Sequence, residues 1–545
     1  MGLPKVIACG MSGLLVLSWL APAQPGLPMF TDITDAAGIQ FRHSYGDREM
    51  DNIVEATGAG ACVFDYDNDG FMDIYFVNGR WQKGVSDNRG RDLQGRLRNA
   101  LYRNNGDGTF TDVTEKAGVA GKGMGFGCSA ADFDGDGDVD LYVLNYGPNE
   151  FYRNNGDGTF TDISKKSGLA DARWSLSAPW IDYNNDGLPD VYVANYLEYD
   201  EGKFRAFYAA AGHPGPLSYH GQPDALYRNN GDGTFTEVTR EAGVYNPEGR
   251  AMSAIAADIN NDGFLDIYVA NDAMENYYYE NTGKASFVEK GLTLGLAFGE
   301  NGQGVSSMGP VVGDVDGDGL PDIFIPDMSY GSLLRNLGKY FEDYTTVSKI
   351  AMVCGQYTGW GAALIDYDND GRLDLFIANG NALHEFGEED LLLRNAGRSG
   401  IEFLDVSRES GEYFQEKLVG RGVAYGDFDN DGDLDIVVCN LNDRARLLRN
   451  DGGNRNHWLA LEVKSRKGRT DALGARVTVT AGSVKQFQDA VAVKGYLSQS
   501  DPRIFFGLGR AVKADLVEIR RPGGQVQRLK DVRADQFLKV VQDAR

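Results

Sequence analysis

Nine-residue segments of the form D-x-[DN]-x-D-G-x-x-D occur seven times, and their carboxylates are spaced to hold a hard cation. Positions 1, 3 and 5 converge when the chain turns sharply at position 6, which is always glycine. Position 9 closes the cage from the next segment, and position 7 offers its carbonyl. The first loop would use Asp65, Asp67, Asp69 and Asp73 with the carbonyl of Phe71, and the second Asp132, Asp134, Asp136 and Asp140 with that of Asp138. The third and fourth would use Asp182, Asn184, Asp186, Asp190 with Leu188, and Asp258, Asn260, Asp262, Asp266 with Phe264. In the fifth stand Asp314, Asp316, Asp318, Asp322 and Leu320, and in the sixth Asp366, Asp368, Asp370, Asp374 and Arg372. The seventh holds Asp427, Asp429, Asp431, Asp435 and Asp433. Such oxygen cages suit calcium, so up to seven Ca²⁺ ions are expected, with Asn184 and Asn260 weakening their two sites.

An EF-hand would need a bidentate Glu at position 12. The residues there are Phe76, Val143, Val193, Val269, Ile325, Ile377 and Val438, all apolar, so that reading is excluded. Asx-rich turns without metal are the remaining alternative, and seven recurrences of one acidic pattern argue against it. Charge agrees. The chain has 79 acidic and 53 basic residues; removing the 26 ligand carboxylates leaves 53 of each. Without cations every loop would crowd three or four like charges. An acidic balance also argues against nucleic acid as a partner.

The loops repeat every fifty to seventy-six residues, which makes internal repetition the organising feature of the chain. Each follows a small-residue apolar stretch such as 58–64 and precedes a β-type run such as IYFVN or LYVLN, giving strand, acidic turn, strand. Two weaker motifs alternate with them. One is L-Y-R-N-N-G-D-G-T-F, clear at Leu101, Phe151 and Leu226; the other is F-T-D-V-T, at Phe110, Phe160 and Phe235. N-G-D-G reads as a hairpin turn rather than a metal ligand. The seventh unit ends at Leu447–Gly453 without an F-T-D-V-T segment, while a stray copy, FTDITDAAGI, stands at Phe30–Ile39. The N-terminal strand can therefore complete the last unit and close the array, which protects its edges. The expected fold is all-β: a seven-bladed β-propeller over residues 24–453, closed by the N-terminal strand, with a small β-sandwich-like domain over 454–545.

Residues 1–23 read as a secretory signal, with Lys5, an apolar run from Val6 to Leu20 and a small-x-small site at Ala21-Pro22-Ala23. A retained anchor is the alternative, disfavoured by the short apolar run; a secreted monomer without a membrane span in the mature chain is expected. Cys62, Cys128, Cys354 and Cys439 are too few and scattered for a disulfide framework, and free thiols or one or two bridges fit equally. Residues 454–545 hold 18 Lys/Arg against 9 Asp/Glu. That positive surface suits either an acidic glycan or, preferably, docking on the acidic propeller of the same chain.

The acidic loops with their following strands resemble FG-GAP/VCBS propeller repeats. The tail, with Gly474-Ala-Arg-Val477, Gly495-Tyr-Leu-Ser-Gln-Ser500, FFGLG at Phe505–Gly509 and VEIRRPGG at Val517–Gly524, is similar to an ASPIC/UnbV domain. Together with FRHSYGD…IVEATGAG they resemble the cartilage acidic protein family in its bacterial form. The resemblance implies calcium in the loops and little about activity; some relatives occur in enediyne biosynthesis. Arg521 stands where the family usually has Trp, and the insertion 196–224 lacks the cysteines often found there.

Two functions compete. A non-catalytic scaffold would bind a protein or glycan, through the insertions 79–99 and 196–224, the second of which gathers Tyr208, His213, Tyr219 and His220. An enzyme or accessory protein of small-molecule biosynthesis is the alternative. Against it, His43, His213, His220, His384 and His457 show no metal or triad spacing, and no nucleophile elbow or phosphate loop occurs. Residues converging in the central channel would escape such a reading.

Overall fold

Alternating apolar run, acidic turn and β-branched run makes each loop a connection between two strands that pair with one another. In a computed structural model describing residues 26–200, 212–397, 400–465 and 472–541, Ala61–Phe64 and Asp73–Phe76 flank the first loop and pair antiparallel, Ala61 opposite Phe76. Ala100–Asn104 and Phe110–Asp112 complete a four-stranded antiparallel sheet in chain order. Six further sheets repeat this plan, the third and fourth with one additional short strand each. In the seventh, Gly420–Gly426, Asp435–Asn440 and Arg446–Asp451 are joined by Met29–Asp32 as the fourth strand, with Phe30 opposite Asn450. The architecture is all-β and propeller-like.

Apolar faces between consecutive sheets form separate cores. Cys62, Tyr75, Leu141 and Val143 join the first and second sheets; Phe133, Leu144, Val191 and Phe235 the second and third. Tyr192, Leu226, Ile267 and Tyr279 join the third and fourth, and Ile255, Tyr268, Ile323 and Leu334 the fourth and fifth. Phe324, Leu333, Leu364 and Leu375 follow, then Phe376, Leu392, Val423 and Ile436. The first sheet also packs on the seventh, through Ile74, Phe76, Val437 and Leu447.

A repeated asparagine ties these contacts to the acidic loops. The Asn104 side chain donates to Met72 O of its own loop (3.1 Å) and to Phe428 O of the seventh (2.8 Å). Asn154, Asn229, Asn281, Asn336, Asn395 and Asn450 do the same, each reaching position 2 of the preceding loop. Their backbone N–H groups meanwhile donate to the position-9 aspartate, as Asn104 N does to Asp73 Oδ1 at 2.8 Å. All seven asparagines are buried, so truncation strands two carbonyls away from water. Asn104→Ala is expected to cost about 1–3 kcal/mol, and Asn105→Ala in the exposed hairpin within about 0.5 kcal/mol, read by urea unfolding.

From His457 onward two smaller sheets share one core built on Leu459, Leu461, Val477, Val479, Phe506 and Val517. Strand His457–Lys464 pairs antiparallel with Ile504–Gly509 and parallel with Phe537–Val541. Between them, residues 491–501 leave this domain and enter the space bordered by the first strands of the seven sheets. Tyr496 and Leu497 are buried there against Phe126, Trp174, Met252, Met308 and Trp360. Glycines make the room: a Cβ at Gly60 would lie 2.2 Å from Leu497 O, and one at Gly309 2.4 Å from Tyr496 N. From the other side comes the short helix Ile53–Thr57, capped by Asn52, whose side chain accepts from Val54 N and Glu55 N. The two insertions meet where the Tyr496 hydroxyl donates to Thr57 O at 2.9 Å.

Candidate metal centres

The loop backbone takes the shape the glycine pattern requires. Every position-6 glycine has φ between 87° and 102°, a region closed to other residues without strain. Position 4 is also left-handed, and it is Asn68, Asn185, Asn261, Asn369 or Asn430 where it is not glycine. The first aspartate is fixed by the turn itself: Asp65 Oδ1 and Oδ2 accept from Asp69 N (3.1 Å) and Gly70 N (2.9 Å). In five loops three carboxylate oxygens lie within 4.8 Å of one another, namely Asp65/Asp67/Asp73, Asp132/Asp134/Asp136, Asp314/Asp316/Asp322, Asp366/Asp368/Asp374 and Asp427/Asp429/Asp431. Asp69, Asp140, Asp318, Asp370 and Asp435 belong to the same turns. Four position-7 side chains point away from their loops: the Phe71 and Phe264 rings cover Gly106 and Gly283 of the adjoining hairpins, and Leu188 and Leu320 lie near Gly231 and Gly338; Arg372 instead pairs with Asp370 of its own loop.

The donor set suits a hard divalent ion. It consists of carboxylates, and buried oxygens without a partner remain at Asp67 Oδ1, Asp190 Oδ2, Asp374 Oδ2 and Asp433 Oδ1. Burial pushes Asp140 up to about 9, and Asp190 and Asp322 up to about 8, against backbone hydrogen bonds that pull the other way. These groups pay for ionisation unless a cation is supplied. In the third and fourth loops the amides of Asn184 and Asn260 turn inward, donating to Asp186 Oδ2 (2.8 Å) and Asp262 Oδ2 (3.0 Å). Among the described residues, neither loop forms a three-oxygen group. Asp107, Asp157 and Asp232 of the N-G-D-G segments instead accept from Thr109, Thr159 and Thr234 within hairpin turns.

Two sets of arginines escape the sequence reading. The Arg of L-Y-R-N reaches its own loop: Arg103 lies 3.1 Å from Asp67, Arg335 2.6 Å from Asp316, and Arg394 2.8 and 2.9 Å from Asp368 and Asp370. Its recurrence at one motif position was the available signal. The second set comes from the C-terminal domain, which sits on the acidic loops. Arg503, paired with buried Asp501 at 2.6 Å, donates to Asp427 O (2.8 Å) and Asn430 Oδ1 (2.7 Å). Arg476, paired with Asp489 at 2.7 Å, repeats this on Asp258 O (2.9 Å) and Asn261 Oδ1 (2.6 Å). Gly507 approaches the sixth loop so closely that a Cβ would meet Asp366 Oδ2 at 2.0 Å.

The histidines lie among unrelated partners. Buried His43 accepts from Asn442 N at Nδ1, and burial drives it down to about 3. His220 faces Glu248, His384 packs beside Phe386, and His457 bonds Asp535. Tyr219 packs on Tyr199, His213 is buried, and Tyr208 lies outside the described residues. The four described cysteines are free and buried. No helix among the described residues is long and apolar enough to cross a membrane.

Comparison with known families matches residues 65–143, 132–193, 211–269, 258–325 and 314–377 to the FG-GAP-like repeat, and residues 465–545 to ASPIC and UnbV. Cartilage acidic protein 1 of Mus musculus is 27% identical over 320 residues, 56% of this chain and 46% of the relative. The Homo sapiens protein is 26% identical over 311 residues, 56% and 38%. The chain thus spans less than half the length of these curated relatives. Among solved structures, an Agrocybe aegerita lectin specific for non-reducing terminal N-acetylglucosamine aligns with a TM-score of 0.38 and 17% identity, covering 66% of this chain and 82% of that one. Its acidic repeats and its tail place this chain in the family of FG-GAP-like repeat proteins that carry a C-terminal ASPIC/UnbV domain and include cartilage acidic protein 1.

Proposed function

We propose that the chain is a secreted, calcium-holding, seven-bladed propeller that acts as a non-catalytic scaffold for a protein or glycan ligand. Ring closure is supported by the strand Met29–Asp32 on the seventh sheet and by the Asn104 bridge to Phe428. Calcium is supported by the five convergent carboxylate groups. Domain limits at 24–453 and 454–545, and export by residues 1–23, belong to the same reading.

The observation that carries the scaffold role is the filled centre. Helix Ile53–Thr57 and residues 491–501 occupy the space where a propeller enzyme would gather its reacting groups, and the C-terminal domain covers the acidic loops. What remains is the opposite face. Acidic loops join first to second strands, whereas the insertions 79–99 and 196–224 join second to third strands, at the other end of an antiparallel sheet. Long connections on a rigid frame are where binding is carried. The test is retention of proteins and glycans by the immobilised full chain with and without calcium, repeated after replacing 80–98 by a short turn. Ligand capture lost on that replacement is expected. Undiminished capture by the shortened chain would refute the role of 80–98, and turnover of a captured small molecule, or no capture at all, would refute the scaffold reading.

A further inference from the structure

Loop 4 differs from the other six at several positions a cation would use. Its first carboxylate already holds cations of the protein: Asp258 Oδ2 lies 2.7 Å from Arg520 Nη2 and 3.7 Å from Arg476 Nη2. Among the described residues, no other position-1 carboxylate has a guanidinium within 4 Å; Arg503 reaches only the backbone oxygen of Asp427. At position 3, Asn260 presents an amide donor to Asp262, a feature shared only with Asn184 of the third loop. At position 9, Asp266 Oδ2 accepts the Tyr278 hydroxyl at 2.7 Å, in addition to Ile259 N at 3.2 Å. Tyr278 occupies the motif position filled elsewhere by Leu101, Phe151, Leu226, Leu333, Leu392 and Leu447, none of which can donate. The in-sheet arginine is also gone: Glu280 stands there, paired with Lys290 at 2.6 Å.

These replacements serve one arrangement. With no arginine of its own, the fourth loop takes its positive charge from the C-terminal domain. A divalent ion at Asp258 would sit beside two guanidiniums and meet like charge. Asp258 Oδ1 is buried without a partner, but Asp258 Oδ2 is taken by Arg520, Asp266 Oδ2 by Tyr278 and Asp262 Oδ2 by Asn260, which cuts deeply into the six to eight oxygens that calcium needs. We propose that loop 4 holds no divalent ion and is a guanidinium socket for Arg476 and Arg520, so that the chain binds at most six calcium ions. The proposal rests on the calcium reading of the other loops.

Calcium bound per chain, counted by native mass spectrometry and by metal analysis after dialysis, decides it on the full-length protein. The wild type is expected to hold no more than six ions. Asp262→Ala should leave the count unchanged, whereas Asp69→Ala in the first loop should lower it by one. Seven ions on the wild type, or one lost with Asp262→Ala, would overturn the socket without touching the calcium reading. A wild type that retains no calcium at all would overturn both.

Discussion

Excess EDTA will lower the melting temperature of this chain by roughly 26 °C. An ion in any of the five convergent loops would select the folded state, because the carboxylates converge only when the turn and the two flanking strands are formed. A site held at calcium a hundredfold above its Kd contributes about 2.7 kcal/mol, and five such sites contribute about 13 kcal/mol. At about 2 °C per kcal/mol, the lower end for a large domain, the shift follows. The pH dependence should change as well. In EDTA the position-9 carboxylates such as Asp140, Asp190 and Asp322 are held protonated by burial up to about 8 or 9. Their folded-state pKa exceeds the unfolded value near 3.8, so the stabilisation is complete below that value and is lost as pH rises through about 8–9. The metal-free chain should therefore melt higher at pH 5 than at pH 8. The calcium-loaded chain should do the reverse, because protons compete for the ligands. A melt in EDTA that matches the melt in calcium would remove the structural role assigned to the ion.

The loops and their sheets were legible because their determinants are local. Gly70 and its six counterparts, Asn or Gly at position 4, and the apolar run after Asp73 each act within one turn of chain. Pairing of Phe30 with Asn450 was legible for a different reason, a missing motif at one end and a spare copy at the other. Helix Ile53–Thr57 was not, since five residues show no period and its cap, Asn52, lies within an irregular stretch. The filling of the centre by Tyr496 and Leu497 was also hidden: its determinants are absences of side chains at Gly60, Gly127 and Gly309, hundreds of residues away. Arg476 and Arg520 sit within the motifs that mark the tail, yet nothing local says that their partner is Asp258. Asn260 reads as a weakened ligand; that its amide would face Asp262 beside Tyr278 and two arginines depends on contacts no local pattern announces.

Arg503→Ala is the substitution expected to loosen the C-terminal domain most. The guanidinium is buried, bonds Asp501 within its own domain and Asn430 Oδ1 and Asp427 O across the interface, and stacks over Phe537 at 4.7 Å. It is the ion-pair partner of Asp501, which is fully buried and otherwise accepts only from backbone N–H groups of Arg503 and Asp427. Removing one member of a buried pair leaves an uncompensated charge and costs about 3–5 kcal/mol. Lys513→Ala, at an exposed and solvent-screened pair with Asp531, should leave the unfolding midpoint essentially unchanged. Because Asp501 N donates to Tyr425 O and Ser500 Oγ accepts from Tyr425 N, the damage should extend into the central segment. Faster proteolysis within 491–545 should therefore accompany the loss of stability. Asp501→Ala combined with Arg503→Ala should recover part of the loss, since the stranded charge is gone. A double variant as unstable as the sum of the two single ones would mean that Arg503 acts by packing on Phe537 alone, with its ion pair contributing nothing.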